Sequence, residues 1–374
     1  MKKVISIICT VCLFFSSTAL AAPEPDAKSM ILMEAGSGTV LVENNADEKL
    51  PIASVTKIMT LLLIMEAIED GKITYEDMVT VSENAMSMGG STMFLEAGEE
   101  LSVHEMIKGI AVASANDGCV AMAEKLSGSE EAFVAEMNKR AKELGMENTQ
   151  FVNTNGLDAE GHYSSARDVA KMSKELMRHE KIFEYTTIWT GMMHNDEFEL
   201  ANTNKLIRFY QGATGLKTGS TDEAGCCLSA TAERNGMKLI AVILGSPSSK
   251  DRFDGARALL DYGFANYTIE NPSDSEELPK ALKIRKGVVD EVPIKLSDEA
   301  GILIEKSIKN NIETKLELPE ELIAPVAENE KAGTIKFMVN GEVIGEKELV
   351  FAESVPKKSI FGWFRDILMR FISI

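Results

Sequence analysis

Two residues that can form a nucleophile and its base, Ser54 and Lys57, lie three positions apart in the stretch from Pro51 to Lys57. The residues that follow, 58–65, are nearly all apolar helix formers. We therefore predict a buried helix that begins at Ser54, with the serine as its N-cap. One helical turn would bring the Lys57 amine over the Ser54 hydroxyl. Burial lowers the pKa of an amine, which suits a lysine to act as a base.

A Ser-x-x-Lys pattern does not establish catalysis by itself. A serine can be only a helix cap, and a lysine can be only a surface residue with a buried stem. The same spacing occurs at Ser354 and Lys357, within a polar segment that contains a proline. The assignment of Ser54 as a nucleophile therefore depends on partners elsewhere in the chain.

Two further polar motifs follow in chain order. Ser114 and Asn116 lie in a polar segment, 113–118, between two apolar helical runs, and polar groups between buried helices usually make contacts. Residues 215–219, which include Lys217, Thr218 and Gly219, are predicted to be a strand that enters a loop. The three motifs supply three hydroxyls, an amide and two amines.

The elements that position these motifs follow from periodicity and turn residues. Helices in the middle of the region and antiparallel strands at both of its ends predict an α+β domain with one sheet built from the two ends. The Asn235-Gly236 pair predicts a tight hairpin turn. The predicted strand-like runs are 30–34, 39–43, 226–233 and 237–245, and the predicted helices are 54–71, 102–112, 119–126, 129–145, 166–178 and 251–262.

Composition excludes several functions. The 374 residues carry a formal charge of −19, so the surface repels phosphate backbones and nucleic acid is not an expected partner. The four histidines have no metal-ligand spacing, and we expect neither a metal nor a cofactor. Cys119, Cys226 and Cys227 are interpreted as small buried residues, because neighbours on a strand face opposite ways and three thiols cannot all pair.

The two chain ends suggest export and membrane attachment. Residues 1–21 have the basic, apolar and small-residue parts of a signal peptide. After a linker at 271–275, residues 276–353 alternate in hydrophobicity and predict a small all-β domain. Residues 357–374 predict an amphipathic helix with aromatic and basic residues, suited to an anionic membrane surface. The alternative is a helix that docks on a partner or on the β domain.

The order and setting of the three motifs resemble the serine-type D-alanyl-D-alanine carboxypeptidases, the low-molecular-mass penicillin-binding proteins. The resemblance also includes the hairpin before the first motif, the stretches 91–95 and 166–168, the β domain and the tail. It implies the DD-peptidase/β-lactamase-like fold for a catalytic domain at residues 22–267.

The resemblance also implies a role for each motif residue. Ser54 would be the nucleophile, Lys57 its base, assisted by burial and by a second cation at Lys217, and Ser114 the proton relay to the leaving amine. The implied substrate-binding residues are Asn116, Lys217, Thr218, Gly219, Ser220 and Arg252. Asn116 would hold the substrate amide, Lys217 and Thr218 the terminal carboxylate, and Gly219 would leave room for the substrate. The N–H groups of Ser54 and Ser220 would form the oxyanion hole. Arg252 would lie near the carboxylate site; its alternative is a solvated helix residue.

The implied activity is removal of the terminal D-alanine from peptidoglycan pentapeptide stems through an acyl-enzyme that penicillin also forms. The enzyme would work at the outer face of the cytoplasmic membrane, with β-lactam antibiotics as covalent inhibitors. A β-lactamase or other serine acyl hydrolase is one alternative, although no Glu-x-x-x-Asn occurs between Ser54 and Lys217. A non-catalytic cell-wall scaffold is another. Transpeptidase activity, stem preference, growth stage and oligomeric state stay open.

Overall fold

The computed structural model describes residues 22–193, 198–271, 278–298 and 301–364. The predicted signal peptide, 1–21, and the last part of the predicted tail helix, 365–374, lie outside the described residues. Within the described ranges the chain forms an α+β region followed by an all-β region, which confirms the predicted fold class.

Strands and helices are numbered in chain order. The strands up to residue 270 are β1 Ser29–Glu34, β2 Val40–Asn44, β3 Met78–Thr80, β4 Glu100–Ser102, β5 Thr190–Met193, β6 Phe198–Ala201, β7 Ala213–Thr221, β8 Gly225–Arg234, β9 Met237–Ser246 and β10 Tyr267–Glu270. The helices are α1 Lys57–Glu69, α2 Glu83–Met86, α3 Val103–Val112, α4 Asn116–Ser127, α5 Glu130–Glu143, α6 Ala166–Leu176, α7 Phe183–Thr186, α8 Leu206–Phe209 and α9 Ser249–Asn266. Short 3₁₀ turns cover Ala53–Thr56, Glu180–Ile182 and Lys309–Asn311.

The main sheet has the strand order β2-β1-β9-β8-β7 and is antiparallel. Strand β1 from the N-terminal side pairs with β9 from the far end of the region, which confirms a sheet built from both ends. Asn235 and Gly236 have φ of 51° and 76°, the left-handed conformation that the predicted hairpin turn needs.

The sheet separates two apolar cores. Alternate residues of β1 and β9 point to opposite faces: Ile31 and Val242 belong to the core that contains α1, whereas Leu32 and Ile243 belong to the core under α9. Helix α1 packs against α4 and α6 and is buried on nearly every side. Its apolar sequence therefore reports a central helix, as predicted.

Two local predictions near the motifs are wrong. Ser54 lies inside the 3₁₀ turn before α1 and makes no capping hydrogen bond. The Lys217-Thr218-Gly219 motif lies within β7 and does not enter a loop, because β7 continues to Thr221 beside β8. By contrast Ser102 and Ser129 cap α3 and α5, each accepting a backbone N–H in the first turn.

The second region is a sheet with the order β11-β12-β16-β15-β14. The strands of this sheet are β11 Ala281–Lys283, β12 Glu291–Leu296, β14 Glu313–Glu317, β15 Lys331–Val339 and β16 Glu342–Phe351. The remaining strand, β13 Ile302–Glu305, pairs with β10. Its core includes Val292, Ile335 and Leu349. Residues 360–364 begin a helical turn whose large apolar side chains are exposed.

Candidate active site

The Lys57 amine lies 2.8 Å from the Ser54 hydroxyl oxygen. The 3₁₀ turn holds Ser54 half-buried at the head of α1, and Lys57 begins the α-helix as a fully buried residue. The two side chains therefore meet one turn apart, as the spacing predicted. This contact is the geometry that transfer of the serine proton to the amine requires.

Lys57 also contacts two amide oxygens. Its Nζ donates to the Asn116 Oδ1 at 2.6 Å and to the main-chain oxygen of Asn155 at 2.7 Å. An ammonium uses all three protons in these contacts with Asn116, Asn155 and Ser54. After loss of one proton, the amine still satisfies both amide oxygens and turns its lone pair toward the Ser54 hydroxyl. The three contacts therefore accommodate both the ammonium and the neutral amine.

Burial lowers the pKa of Lys57 to about 8, with the charge of Asp117 acting in the opposite direction. Lys217 is also buried, and its pKa lies well below the ordinary value because of burial and then repulsion by Lys57. Burial raises the pKa of the neighbouring Cys119 thiol to about 12. Cys119 therefore stays protonated near neutral pH. It places no negative charge beside Lys57.

Asn155 contacts Lys57 although no side-chain motif marks it. The Asn155-Gly156 pair is typical of a turn, and the main-chain oxygen of Asn155 is one of the acceptors of Lys57. The turn is fixed by the Asn153 Oδ1, which accepts the N–H of Gly156 at 2.7 Å. The Asn-Gly pair was the only available signal, and it gives no information about the element against which the turn packs.

Ser114 carries a buried hydroxyl with no hydrogen-bond partner among the described residues. Its φ is 66°, an unusual backbone conformation for serine that persists where the surroundings impose it. Two residues later Asn116 starts α4 and reaches Lys57. An unpaired buried hydroxyl costs free energy, so the Ser114 side chain is available for a partner that enters the site.

Asn116 and Asp117 also hold the loop that lines this side. The Asn116 side-chain amide donates to the Gly89 oxygen at 2.6 Å, and its main-chain N–H donates to the Ser91 oxygen at 2.7 Å. The buried Asp117 carboxylate accepts the N–H of Met93 at 3.1 Å and that of Leu95 at 3.2 Å. The first turn of α4 therefore positions both Lys57 and the 89–95 loop.

Strand β7 forms the opposite side. Thr218 Oγ1 donates to Thr203 Oγ1 at 2.7 Å, and Lys217 Nζ donates to the Thr218 oxygen at 3.0 Å. A β-carbon at Gly219 would lie 2.9 Å from the Ser54 nitrogen. Glycine at this position therefore lets β7 pack directly against the 3₁₀ turn that contains Ser54. This differs from the reason predicted for Gly219, room for the substrate. Ser220 is the first exposed residue after it.

Arg252 is buried, so the alternative for it, a solvated helix residue, is wrong. Its Nη1 donates to the Gly219 oxygen at 2.8 Å and to the Cys227 oxygen at 3.3 Å. Helix α9 thus places a guanidinium directly behind β7. Cys227 is buried as predicted, but Cys226 is only half-buried, which corrects that interpretation.

The structure therefore brings the predicted residues together to different degrees. Ser54, Lys57 and Asn116 are in direct contact; Gly219 abuts Ser54, and Arg252 holds Gly219 from behind. In the described ranges, no three side chains of the types that bind metals converge.

A groove of about 880 Å³ lies away from this site, at the opposite end of α1. Its charged side chains pair with one another: Arg140 contacts Glu66 at 2.7 Å and Glu175 at 2.9 Å. Its lining residues include no hydroxyl and amine in contact comparable with Ser54 and Lys57.

Comparison with known proteins agrees with this geometry. The sequence model of the Peptidase S11 family, described as D-alanyl-D-alanine carboxypeptidase, matches residues 16–248. That of the penicillin-binding protein 5 C-terminal domain matches residues 270–357. The chain is 42% identical over 344 residues to D-alanyl-D-alanine carboxypeptidase DacF of Bacillus subtilis, covering 91% of this chain and 88% of that protein. It is 35% identical over 364 residues to DacC of Escherichia coli, covering 95% and 91%.

Solved structures give the same result. Penicillin-binding protein 5 from Haemophilus influenzae superposes with a TM-score of 0.77 at 31% identity, covering 90% of this chain and 100% of that chain. Penicillin-binding protein D2 from Listeria monocytogenes, in an ampicillin-bound form, superposes with a TM-score of 0.59 at 32% identity, covering 64% and 98%. The chain belongs to the D-alanyl-D-alanine carboxypeptidase family of serine peptidases.

Proposed function

We propose that Ser54 is the acylated nucleophile of this enzyme and Lys57 its general base. As a family member, the chain is a serine D-Ala-D-Ala carboxypeptidase that acts on peptidoglycan peptides and binds β-lactams covalently. The observation that carries the residue assignment is the 2.8 Å contact between Ser54 Oγ and the buried Lys57 amine. A neutral lysine in this position can take the hydroxyl proton as the serine attacks.

During acylation the proton of Ser54 passes to Lys57 and then, through Ser114, to the leaving amine. Ser54 Oγ attacks the carbonyl carbon of the terminal D-Ala-D-Ala bond while its proton passes to Lys57 Nζ. The tetrahedral intermediate collapses as the amide C–N bond breaks, and the Ser114 hydroxyl passes a proton to the leaving amine, with Lys57 restoring it. The N–H groups of Ser54 and Ser220 bind the oxyanion, worth roughly 3 kcal/mol each at the transition state. Water then hydrolyses the ester.

The remaining site residues hold the substrate. Asn116 binds the substrate amide while it orients Lys57. Lys217 and Thr218 bind the terminal carboxylate, and Arg252 supports that subsite through its bond to the Gly219 oxygen. A substrate carboxylate that enters beside Lys217 favours the charged form of Lys217. Lys57 is then the lysine that can be neutral and act as the base.

Each segment of the chain has its own role in locating the enzyme. Residues 1–21 are the signal peptide, 22–267 the catalytic domain, 276–353 a β-rich spacer, and 357–374 a membrane anchor on the outer face of the cytoplasmic membrane. Exposure of Ile360, Phe361 and Phe364 at 90%, 85% and 65% supports the anchor. No helix in the described ranges has the length and apolar character to cross a bilayer.

Intact-mass analysis after exposure to penicillin tests the residue assignment. Wild type should gain one stable adduct, and Ser54→Ala should gain none. Ser354→Ala is the matched control, because Ser354 begins the second Ser-x-x-Lys sequence; it should be acylated like wild type. An adduct on Ser54→Ala would refute the nucleophile. A wild-type adduct that vanishes within seconds as penicillin is consumed would identify a β-lactamase, and no adduct on wild type would favour the scaffold.

A further inference from the structure

A loop of the β domain lies beside the start of the tail. The Lys358 N–H donates to the Lys286 oxygen at 2.8 Å, and the Val288 N–H donates to the Pro356 oxygen at 3.1 Å. Residues 285–289 are thereby joined, through the backbone, to the segment that leads into the helical turn at 360–364. The position of this loop is fixed relative to the first residues of the tail.

The tip of this loop exposes apolar side chains. Val288 and Val289 are 49% and 44% exposed. Gly287, between them and Lys286, is buried, and a β-carbon there would lie 2.9 Å from Val355 Cγ1. The glycine therefore holds the loop tightly against the strand end while the two valines project outward. Exposed apolar side chains from two separate segments thus occupy one end of the domain.

The same end carries exposed lysines, with Asp290 as the neighbouring exposed acid of the loop. Lys286 and Lys357 are exposed, and no carboxylate lies within ion-pair distance of either one in the described parts of the β domain and tail, 278–298 and 301–364. The whole chain carries a charge of −19, so unpaired cations beside apolar side chains stand out. This combination matches an anionic lipid surface, which offers negative headgroups above an apolar layer.

The catalytic region attaches to the opposite end. Strand β16 runs from the hairpin at Asn340-Gly341 toward the tail, and its ten residues span about 30 Å. Near the hairpin, a β-carbon at Gly345 would lie 2.9 Å from Ile302 Cγ2. Ile302 belongs to β13, which pairs with β10 directly after α9. The two valines and the catalytic region are therefore separated by the length of the sheet.

We propose that Val288 and Val289, with Lys286, form a second membrane contact, so that the β domain stands on an anionic bilayer on a loop as well as a tail. This rests on the proposed membrane attachment and extends it from one segment to two. With two contacts, the domain cannot pivot freely about the tail, and the catalytic region is held at a defined height above the lipid.

The test uses residues 22–374, which is the chain without the predicted signal peptide, and vesicles of phosphatidylglycerol and phosphatidylcholine. Sedimentation should show that Val288→Asp/Val289→Asp binds about tenfold more weakly than wild type. Val288→Ser/Val289→Ser, which adds no charge, should also weaken binding. The matched control is Val343→Asp, since Val343 is 50% exposed on the same domain but beside the hairpin; it should bind like wild type.

Release of D-alanine from a soluble peptide is measured for every variant and should not change, which verifies folding. Wild-type affinity in both loop variants, or an equal loss in Val343→Asp, would overturn the loop contact alone. Absence of vesicle binding by wild type would overturn both membrane contacts while leaving the carboxypeptidase intact. Absence of D-alanine release with normal vesicle binding would overturn only the enzymatic proposal.

Discussion

Gly156 packs directly against the carbonyl group of Ala53: a β-carbon at position 156 would lie 1.9 Å from the Ala53 oxygen. Gly156 also has φ of 86°, which favours glycine. The turn that supplies the Asn155 oxygen to Lys57 is thus pressed onto the residue before the nucleophile. The positions of Lys57 and of the 3₁₀ turn that contains Ser54 therefore depend on one close contact between segments that are far apart in sequence.

Gly156→Ala should therefore destabilise the fold and impair acylation together. We expect a loss of about 3 kcal/mol, from left-handed strain and from overpacking against backbone that cannot move aside. Gly71→Ala is the control, because Gly71 has φ of 70° but no atom near its β-carbon position; it should cost about 1 kcal/mol. Urea unfolding and penicillin acylation rates measure both effects. Equal losses in the two variants would contradict the role of the contact.

Acylation should accelerate as pH rises through about 8, the lowered pKa of Lys57. Only the neutral amine accepts the serine proton, and its fraction increases tenfold per pH unit below the pKa and levels off above it. Lys57→Arg should abolish acylation at every pH in this range, since arginine stays protonated. Stopped-flow rates with a chromogenic β-lactam give the profile. A flat profile between pH 6 and 9 would rule out Lys57 as the titrating base.

The same titration predicts a change in stability. Because the folded-state pKa of Lys57 lies below its unfolded value, the unfolded chain binds more protons between pH 8 and 10.5. Stability from this group therefore rises with pH across that window and is reduced below it. Lys57→Met should remove this component of the pH dependence, which thermal unfolding measured at several pH values would show.

Ser114→Ala should reduce acylation about 100-fold and raise the free energy of unfolding by about 1 kcal/mol. The hydroxyl has no partner to lose, so its removal leaves no group unsatisfied. Ser114→Gly should be equally slow but more stable, because glycine relieves the strain of a positive φ. Ser173→Ala is the opposite case: it breaks a buried 2.8 Å bond to Ser229 and should cost about 1 kcal/mol with little loss of activity.

Arg252→Ala should weaken β-lactam binding about tenfold and slow acylation less, because the guanidinium supports β7 and does not contact Ser54. Arg252→Lys should recover part of the affinity by keeping a charge but not both carbonyl contacts. Arg257 lies on the same helix, half-buried and paired with Asp254 at 3.2 Å, and Arg257→Ala should behave like wild type. Separate binding and acylation constants distinguish the variants; an unchanged binding constant in Arg252→Ala would contradict the support role.

Local sequence rules predicted most of the scaffold. Ser102 and Ser129 cap their helices because each accepts an N–H within its own first turn. The Asn235-Gly236 hairpin formed because only those two residues had to adopt a left-handed conformation. The helix at Lys57 was predictable because its apolar residues leave no polar face.

The errors arise where distant segments decide the outcome. Serine is a common N-cap residue, but the conformation of Ser54 is fixed by its hydrogen bond to Lys57 and by close packing of Gly219 in β7 against its backbone. The Lys217-Thr218-Gly219 motif stays in a strand because β8 supplies partners through Thr221. Asn155 acts through its main-chain oxygen, a group that every residue has, so no side-chain pattern marks it.

The place of β1 between β2 and β9 also governs when the enzyme can become active. Its partners in β9 are roughly 210 residues further along the chain, a separation that makes closure of the sheet slow. The core that buries Lys57 is complete only after β9 has been synthesised and has paired with β1. A chain interrupted before residue 237 would therefore lack the buried setting that lowers the pKa of Lys57.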